Sequence, residues 1–299
     1  MKVHRLLTLG GLAVVAAGCG NDDNGSTSPS QNVAYVRYVN AIPDTSGVDF
    51  RFVDAIENSP VFVGVNYRQY TPYQQTGTGA RHVKVFVSPN GYRADSSQII
   101  AKQFLIDTTV TFEPNTYYTV LHAGYAKAGA TPKQRLYVIK DVLPAEAGGK
   151  ISLRTINALF PFGNADAFAT TEESTTPFDG SALEQNVPVI DPTTVGSAVT
   201  AYRTLDARPN TSDTITYKLW VRKAGMTAPA AGDSLASLAP ARVSNDGTFA
   251  NAVAGTQVDK TVFTQVLLPP TVTCGCPASR PTFAKPGILF MVDRSGRKP

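Results

Sequence analysis

The side chains able to do chemistry are few, and their spacing decides which chemistry stays open. Histidine occurs at positions 4, 82 and 122 only. His4 lies in a leader expected to be removed, so a Ser-His-Asp arrangement would have to use His82 or His122. His82 is in phase with Lys84 and opposite Val83 and Val85, which is the pattern of a solvated strand position. His122 shares parity with Tyr118 and Val120 and reads as a partly buried structural side chain. Two lone histidines on different strands fall short of the three or four convergent ligands that zinc requires. No metal, cofactor or catalytic residue is assigned. Cys274-Gly275-Cys276 has three open readings: a tight local disulfide in an oxidising compartment, a pair of free or intermolecular thiols, or a metal or redox role. Oxidoreductases usually place two residues between their cysteines, and this Thr/Pro-rich stretch offers no cation to activate a thiolate.

Charge and aromatic positions are more informative as a pattern. Arg37 is followed twelve residues later by Asp49, and Arg154 by Asp166 at the same interval. Each couple reads as a structural ion pair on neighbouring strands, where a charge-assisted bond would pin register. Tyr67, Tyr70 and Tyr73 could form an aromatic platform for a sugar or peptide, but Tyr73 has a counterpart at Tyr202, which points to packing instead. Trp220 is read as a core anchor. The formal charge is +4 over the whole sequence, and 25 basic against 23 acidic side chains remain once Lys2 and Arg5 are removed with the leader. Without a basic block interleaved with aromatics, nucleic acid is not an expected partner.

The N-terminus addresses the protein. Met1–Arg5 is a short positive region and Leu6–Ala17 an apolar run, shorter than the roughly 20 residues a spanning helix needs. Ala16-Ala17-Gly18-Cys19 resembles the bacterial lipobox, in which the cysteine thiol receives diacylglycerol before cleavage on its N-terminal side. That resemblance implies a signal peptide over 1–18, a lipid on Cys19 and a place on an envelope membrane. Gly20, rather than Asp, following the cysteine implies the outer membrane. Residues 20–31, GNDDNGSTSPSQ, have nothing to bury and read as a flexible tether within a 19–32 linker. Fully extended, it would reach on the order of 40 Å from the bilayer.

The elements that must position these residues look like strands. Val33–Val39, Val48–Val53, His82–Ser88, Thr108–Phe112, Tyr117–Ala123 and Arg135–Lys140 are rich in Val, Ile, Thr, Tyr and Phe. Turn residues punctuate them at Ser88-Pro89-Asn90-Gly91 and Glu113-Pro114-Asn115. No amphipathic helix of three turns is visible, so an all-β sandwich is expected rather than α/β. With 42% hydrophobic and 17% charged residues, the chain has the composition of a globular protein. An internal repeat sets the domain count. Val36-Arg37-Tyr38-Val39-Asn40-Ala41 recurs as Leu153-Arg154-Thr155-Ile156-Asn157-Ala158, and the run Arg135–Asp141 is matched by Gly287–Asp293. Two tandem antiparallel β-sandwich repeats are therefore expected, over 33–146 and 147–299, with Glu172–Asp191 as an insertion in the second.

Arg37-x-x-Asn40-Ala41-x-Pro43-Asp44, followed by Val48-Asp49, a tyrosine, a strand ending in Pro-Asn-Gly and a late Tyr118-Thr119-Val120 strand, resembles the bacterial domain of unknown function 4397 family. The resemblance covers most of 33–144 and, more weakly, 151–293. It implies an exported, often lipidated protein with the domain in tandem and an immunoglobulin-like sandwich fold. It assigns no activity and transfers no catalytic or ligand residue. Two function classes follow. The first is a noncatalytic, membrane-anchored module that binds a protein or glycan partner through faces and end loops. The second is an envelope hydrolase or redox protein with a site between the repeats, which would need a deep cleft holding His122 or Cys274 beside a carboxylate.

Overall fold

Alternation of apolar residues at period two makes the strands, and burial on both sides of some of them sets the architecture. The computed structural model describes residues 32–56, 60–88, 104–171, 178, 180–208, 217–227, 234–239, 243–244, 252–273 and 281–296. The signal peptide, Cys19, the tether to Gln31, the Asn90-Gly91 turn, and Cys274 with Cys276 lie outside the described residues. No helix among the described residues is long and apolar enough to cross a membrane.

The first half of the chain contributes β1 (Val33–Ala41), β2 (Val48–Phe52), β3 (Gln69–Tyr70), β4 (Gln74–Gly77), β5 (Gly79–Val87), β6 (Phe104–Phe112), β7 (Tyr117–Ala123) and β8 (Arg135–Lys140). An inner sheet runs β3-β1-β7-β8, with β4 also on β1, and an outer sheet runs β2-β5-β6. Val36, Tyr38, Val48, Phe50, Val83, Val85, Phe112 and Val120 fill the space between them. The second half contributes β9 (Lys150–Asn157), β10 (Ala165–Thr171), β11 (Glu184–Val187), α1 (Val195–Ala198), β12 (Arg203–Asp206), β13 (Tyr217–Lys223), β14 (Ser234–Leu238), β15 (Val243–Ser244), β16 (Ala252–Ala254), β17 (Val262–Leu268) and β18 (Gly287–Arg294). Its inner sheet is β12-β9-β17-β18 and its outer sheet β11-β10-β13-β14, with β15-β16 as a separate ribbon. Ile151, Leu153, Leu219 and Phe263 pack between those sheets. The stretch read as an insertion supplies β11, which pairs with β10.

The fold is all-β, in two sandwiches, and most pairings are antiparallel. One pairing in each half is parallel: β1 beside β7, and β9 beside β17. The two halves share their order of strands, and local bonds repeat as well. Thr71 caps the backbone of Tyr38 through its hydroxyl, as Thr200 caps Thr155. Val39 faces Tyr70 across an antiparallel pairing, as Ile156 faces Val199. Corresponding positions can thus be compared residue by residue.

The two inner sheets also bury their second faces. Val39, Leu121, Ala123 and Ile139 from the first half meet Ile156, Ala158, Val266, Leu268 and Met291 from the second in one cluster. This accounts for strands such as β1, buried along nearly its whole length, where a surface sheet would alternate.

Candidate functional site

Two arginines inside these doubly covered strands cannot reach water, so their charges must be answered within the protein. Arg37 faces the second half in phase with Val39 and Ala41. Its Nη2 lies 2.5 Å from Oδ1 of Asp293, with both side chains almost wholly buried. Its Nε donates to Thr119 Oγ1 at 2.8 Å, its Nη1 to the Val292 carbonyl at 3.3 Å, and its guanidinium lies over the Tyr73 ring. Arg154 repeats the arrangement. It pairs with Asp141, donates to Thr264 Oγ1 at 2.7 Å and lies over the Tyr202 ring. Each aspartate is completed by its own half: Tyr73 and Thr119 donate to Asp141, and Tyr202 and Thr264 to Asp293. Each arginine thus binds its own threonine and the other half's aspartate. Burial alone would pull the pKa of Arg37 down, but Asp293, Tyr73 and Asp141 together raise it above the ordinary arginine value. Burial also lowers, and Asp141 and Asp293 more than restore, that of Arg154.

The expected couples Arg37–Asp49 and Arg154–Asp166 do not form. Asp49 sits on β2 in the outer sheet, in antiphase with the core residues Val48, Phe50 and Phe52, so it faces away from the sandwich interior. Arg37 leaves the opposite side of the inner sheet, and the whole core separates them. Asp49 accepts from the Gly64 amide at 2.7 Å and from the Ser88 hydroxyl. Asp166 accepts from the Asn186 and Gly225 amides and pairs with Arg222 at 3.4 Å. These two aspartates tie down loops.

His122 is fully buried between Tyr38 and Gln134. Its Nε2 lies 3.0 Å from Gln134 Oε1, an acceptor, so Nε2 carries the proton. Nδ1 then accepts from the Tyr38 hydroxyl at 2.7 Å. Burial pushes the pKa of His122 down to about 4, against a small opposing pull from Gln134. Its one lone pair is taken, and it cannot serve as a base. His82 is exposed and bridges with Lys84 to Asp107 at 2.6 and 3.0 Å. Trp220 is not a core anchor: Leu219 and Val221 take the core positions, while the indole lies half-buried on the outer face, donating to Thr170 at 3.0 Å. Among the described residues, no group of three or more His, Cys, Asp or Glu could hold a metal ion.

Tyr67, Arg68 and Tyr70 reach across to the second half. Tyr67 donates to the Pro269 carbonyl, and Arg68 beside it donates to the carbonyls of Pro269 and Lys285 at 2.7 Å. Tyr70 packs against the shared core, its phenol beside the Val292 backbone on β18. Tyr35 and Tyr117 stack face to face at 4.6 Å, so each covers a ring face that a sugar would need.

Accessible relief lies along β8 instead. One groove of about 590 Å³ is lined by Val138, Ile139, Lys140, Val142, Pro144, Arg154 and residues 195–202 without Ala198 and Ser197. A second, of about 540 Å³, lies between β6 and Gln134–Val138, with Pro192 at its side. Val138 belongs to both, so the outer edge of β8 forms a trough. No histidine, cysteine, aspartate or glutamate lines either groove.

A DUF4397 domain is found at residues 34–168. The match to this domain of unknown function starts in β1, takes in the first sandwich and ends in β10. A search of the curated proteins finds none that matches. Among solved structures, a family 26 carbohydrate-binding module from Eubacterium rectale Amy13K, in complex with maltoheptaose, aligns over 86% of this chain and 95% of that chain at 10% identity. Its TM-score is 0.22, too low to carry an argument.

The DUF4397 match includes Arg37, Asp49, Asp141, Arg154 and Asp166 but stops before Thr264 and Asp293. The residues that sequence reasoning missed are thus mostly the second partners: Thr119, Thr264, Asp141 and Asp293. A signal for them existed. Asp141 and Asp293 end the matched runs Arg135–Asp141 and Gly287–Asp293, and an arginine inside a strand apolar on both faces demands a buried acid.

Proposed function

We propose that the protein is a noncatalytic binding module of the cell envelope, held at the outer membrane by a lipid on Cys19 and made of two tandem copies of one sandwich domain, 33–146 and 147–299. Its partner is a protein or glycan of the envelope. The observation carrying this reading is the trough along β8, two adjoining grooves of about 590 and 540 Å³, which offers apolar walls and backbone edge and no histidine, carboxylate or thiol. The space between the halves, where an enzyme would need its cleft, is taken by packed side chains and by two buried ion pairs. An exposed strand edge beside apolar walls suits an extended chain, which would add main-chain bonds to one side of the sheet.

Two measurements test it. Mass spectrometry of the mature protein is expected to find an acylated N-terminus at Cys19; an unacylated N-terminus, or one elsewhere, removes the anchor. A pull-down from intact envelope with the native chain is expected to capture a partner that the Cys19→Ser form captures less. Capture of nothing by either form, combined with hydrolytic or redox turnover, would replace binding with catalysis.

A further inference from the structure

The two halves place the same groove at two positions, and one of the two is already filled. Beside β18 the filling residue is Tyr70, which packs on the shared core with its phenol beside the Val292 backbone. Arg37 holds the carbonyl of the same Val292. Val292 is the residue before Asp293, as Lys140 is the residue before Asp141. On β8 this residue's amide turns outward: Asp141 donates inward to the Tyr117 carbonyl, so Lys140, its neighbour, points away from β7.

Beside β8 the counterpart of Tyr70 is Val199, fixed by the equivalent pairings of Val39 with Tyr70 and Ile156 with Val199. Valine is shorter by a ring and has no hydroxyl. The hydrogen bonds of Asn40 and Asn157 match Val65 to Val187 and Arg68 to Ile190, so Tyr67 corresponds to Val189, and Arg294, which reaches the Pro144 carbonyl at 2.8 Å, corresponds to Val142, 73% exposed. Tyr70 and Arg294 are thus replaced at β8 by the smaller Val199 and Val142, while Arg154 and Tyr202, the counterparts of Arg37 and Tyr73, are kept and line the groove. The space left is the groove of about 590 Å³.

We propose that this groove is a receptor for a tyrosine side chain carried by an extended segment of a partner protein, its ring between Val138, Val142 and Val199 and its hydroxyl at the outward backbone amide of Lys140. The filled slot is the internal template: a phenol, an apolar wall and an edge amide are what this fold already joins there. This deepens the binding-module reading and rests on it, since it names the chemistry of that module's ligand.

The test uses the purified Cys19→Ser chain and N-acetyl-tyrosinamide as probe, followed by backbone amide shifts. Saturable shifts at Lys140, Val138 and Val199 are expected, with N-acetyl-phenylalaninamide binding about fivefold more weakly, the worth of one net hydrogen bond. Val199→Tyr, which copies the internal plug, is expected to abolish the shifts while leaving the melting temperature the same or higher. Should that variant fold poorly, Val142→Arg changes an exposed position and is expected to weaken binding as well. Absence of saturable shifts in the parent chain, or binding that survives both substitutions in folded protein, overturns the proposal. Probe binding depends on neither the anchor nor a cellular partner, so it can fail while envelope capture succeeds, and the reverse.

Discussion

At the scale of residues, the strongest statement concerns which acid answers which arginine. Removing one member of a buried pair leaves an uncompensated charge, so Asp293→Leu alone is expected to cost about 3–5 kcal/mol. The double variant Arg37→Met with Asp293→Leu is expected to cost clearly less than the sum of the two single changes. Arg37→Met with Asp49→Leu is expected to be additive, because the sandwich core lies between those groups. Urea unfolding of the three single and two double variants reads both predictions, and strong coupling of Arg37 to Asp49 would refute the assignment. His122 makes a prediction in pH. Its folded pKa near 4 lies below the ordinary value near 6.5, so the folded state holds it neutral while the unfolded chain takes up the proton. Its environment therefore costs nothing above about pH 6.5, and stability falls as pH drops from 6.5 toward 4. The loss reaches about 3 kcal/mol. Denaturation midpoints across that range should flatten in His122→Gln, and an unchanged slope would show that His122 is not the group responsible.

At the scale of elements, period-two reading placed the longer strands of the first half and misjudged their second faces, and β6 starts at Phe104, before the expected Thr108. β7 and β8 begin and end where the residue pattern placed them, and β1, β2 and β5 differ by one to three residues at an end. The expected ion pairs failed for a reason that also explains the success: alternation tells which residues share a face, and Arg37 shares one with Val39 and Ala41. It does not tell what that face meets, which here is the other half's inner sheet. Two asparagines show what fixes the strand ends. Asn40 donates to the Val65 carbonyl at 2.8 Å and accepts from the Ile42 amide at 3.0 Å; Asn157 does the same with Val187 and Leu159. Asn40→Ala would leave the Ile42 amide unpaired, while the Val65 carbonyl keeps the Val48 amide, an expected loss of about 1–3 kcal/mol. Gly124, just after β7, has φ +106°, and a Cβ there would lie 2.8 Å from the Gln134 backbone. Gly124→Ala is therefore expected to destabilise by about 1–3 kcal/mol. A melting temperature unchanged by either substitution would show that the neighbouring backbone yields more easily than its packing implies.

At the scale of the whole molecule, the halves are bound by a shared apolar cluster and by arginines that each take the other half's acid. Residues from Asn32 onward accordingly cluster as one compact unit. A chain cut to 32–146 would expose the face carrying Val39, Leu121 and Ile139 and leave Arg37 and Asp141 without their partners. It is expected to aggregate or to lack a cooperative transition by circular dichroism. The full chain should unfold in one step, and an independently stable first half would contradict this. The matched runs around Arg37 and Arg154 were legible in the sequence; the difference between Tyr70 and Val199 beside the groove was not, because those two align only once the strand pairings are known. The most direct test of the binding account is a photo-crosslinking residue at position 142, at the mouth of that groove, in the anchored protein in intact cells. A discrete partner protein is expected to be captured from position 142 and lost when Val199→Tyr is added. Capture that persists in the Val199→Tyr protein, or that arises equally from position 82 on the outer face of β5 and not from the groove, would contradict it.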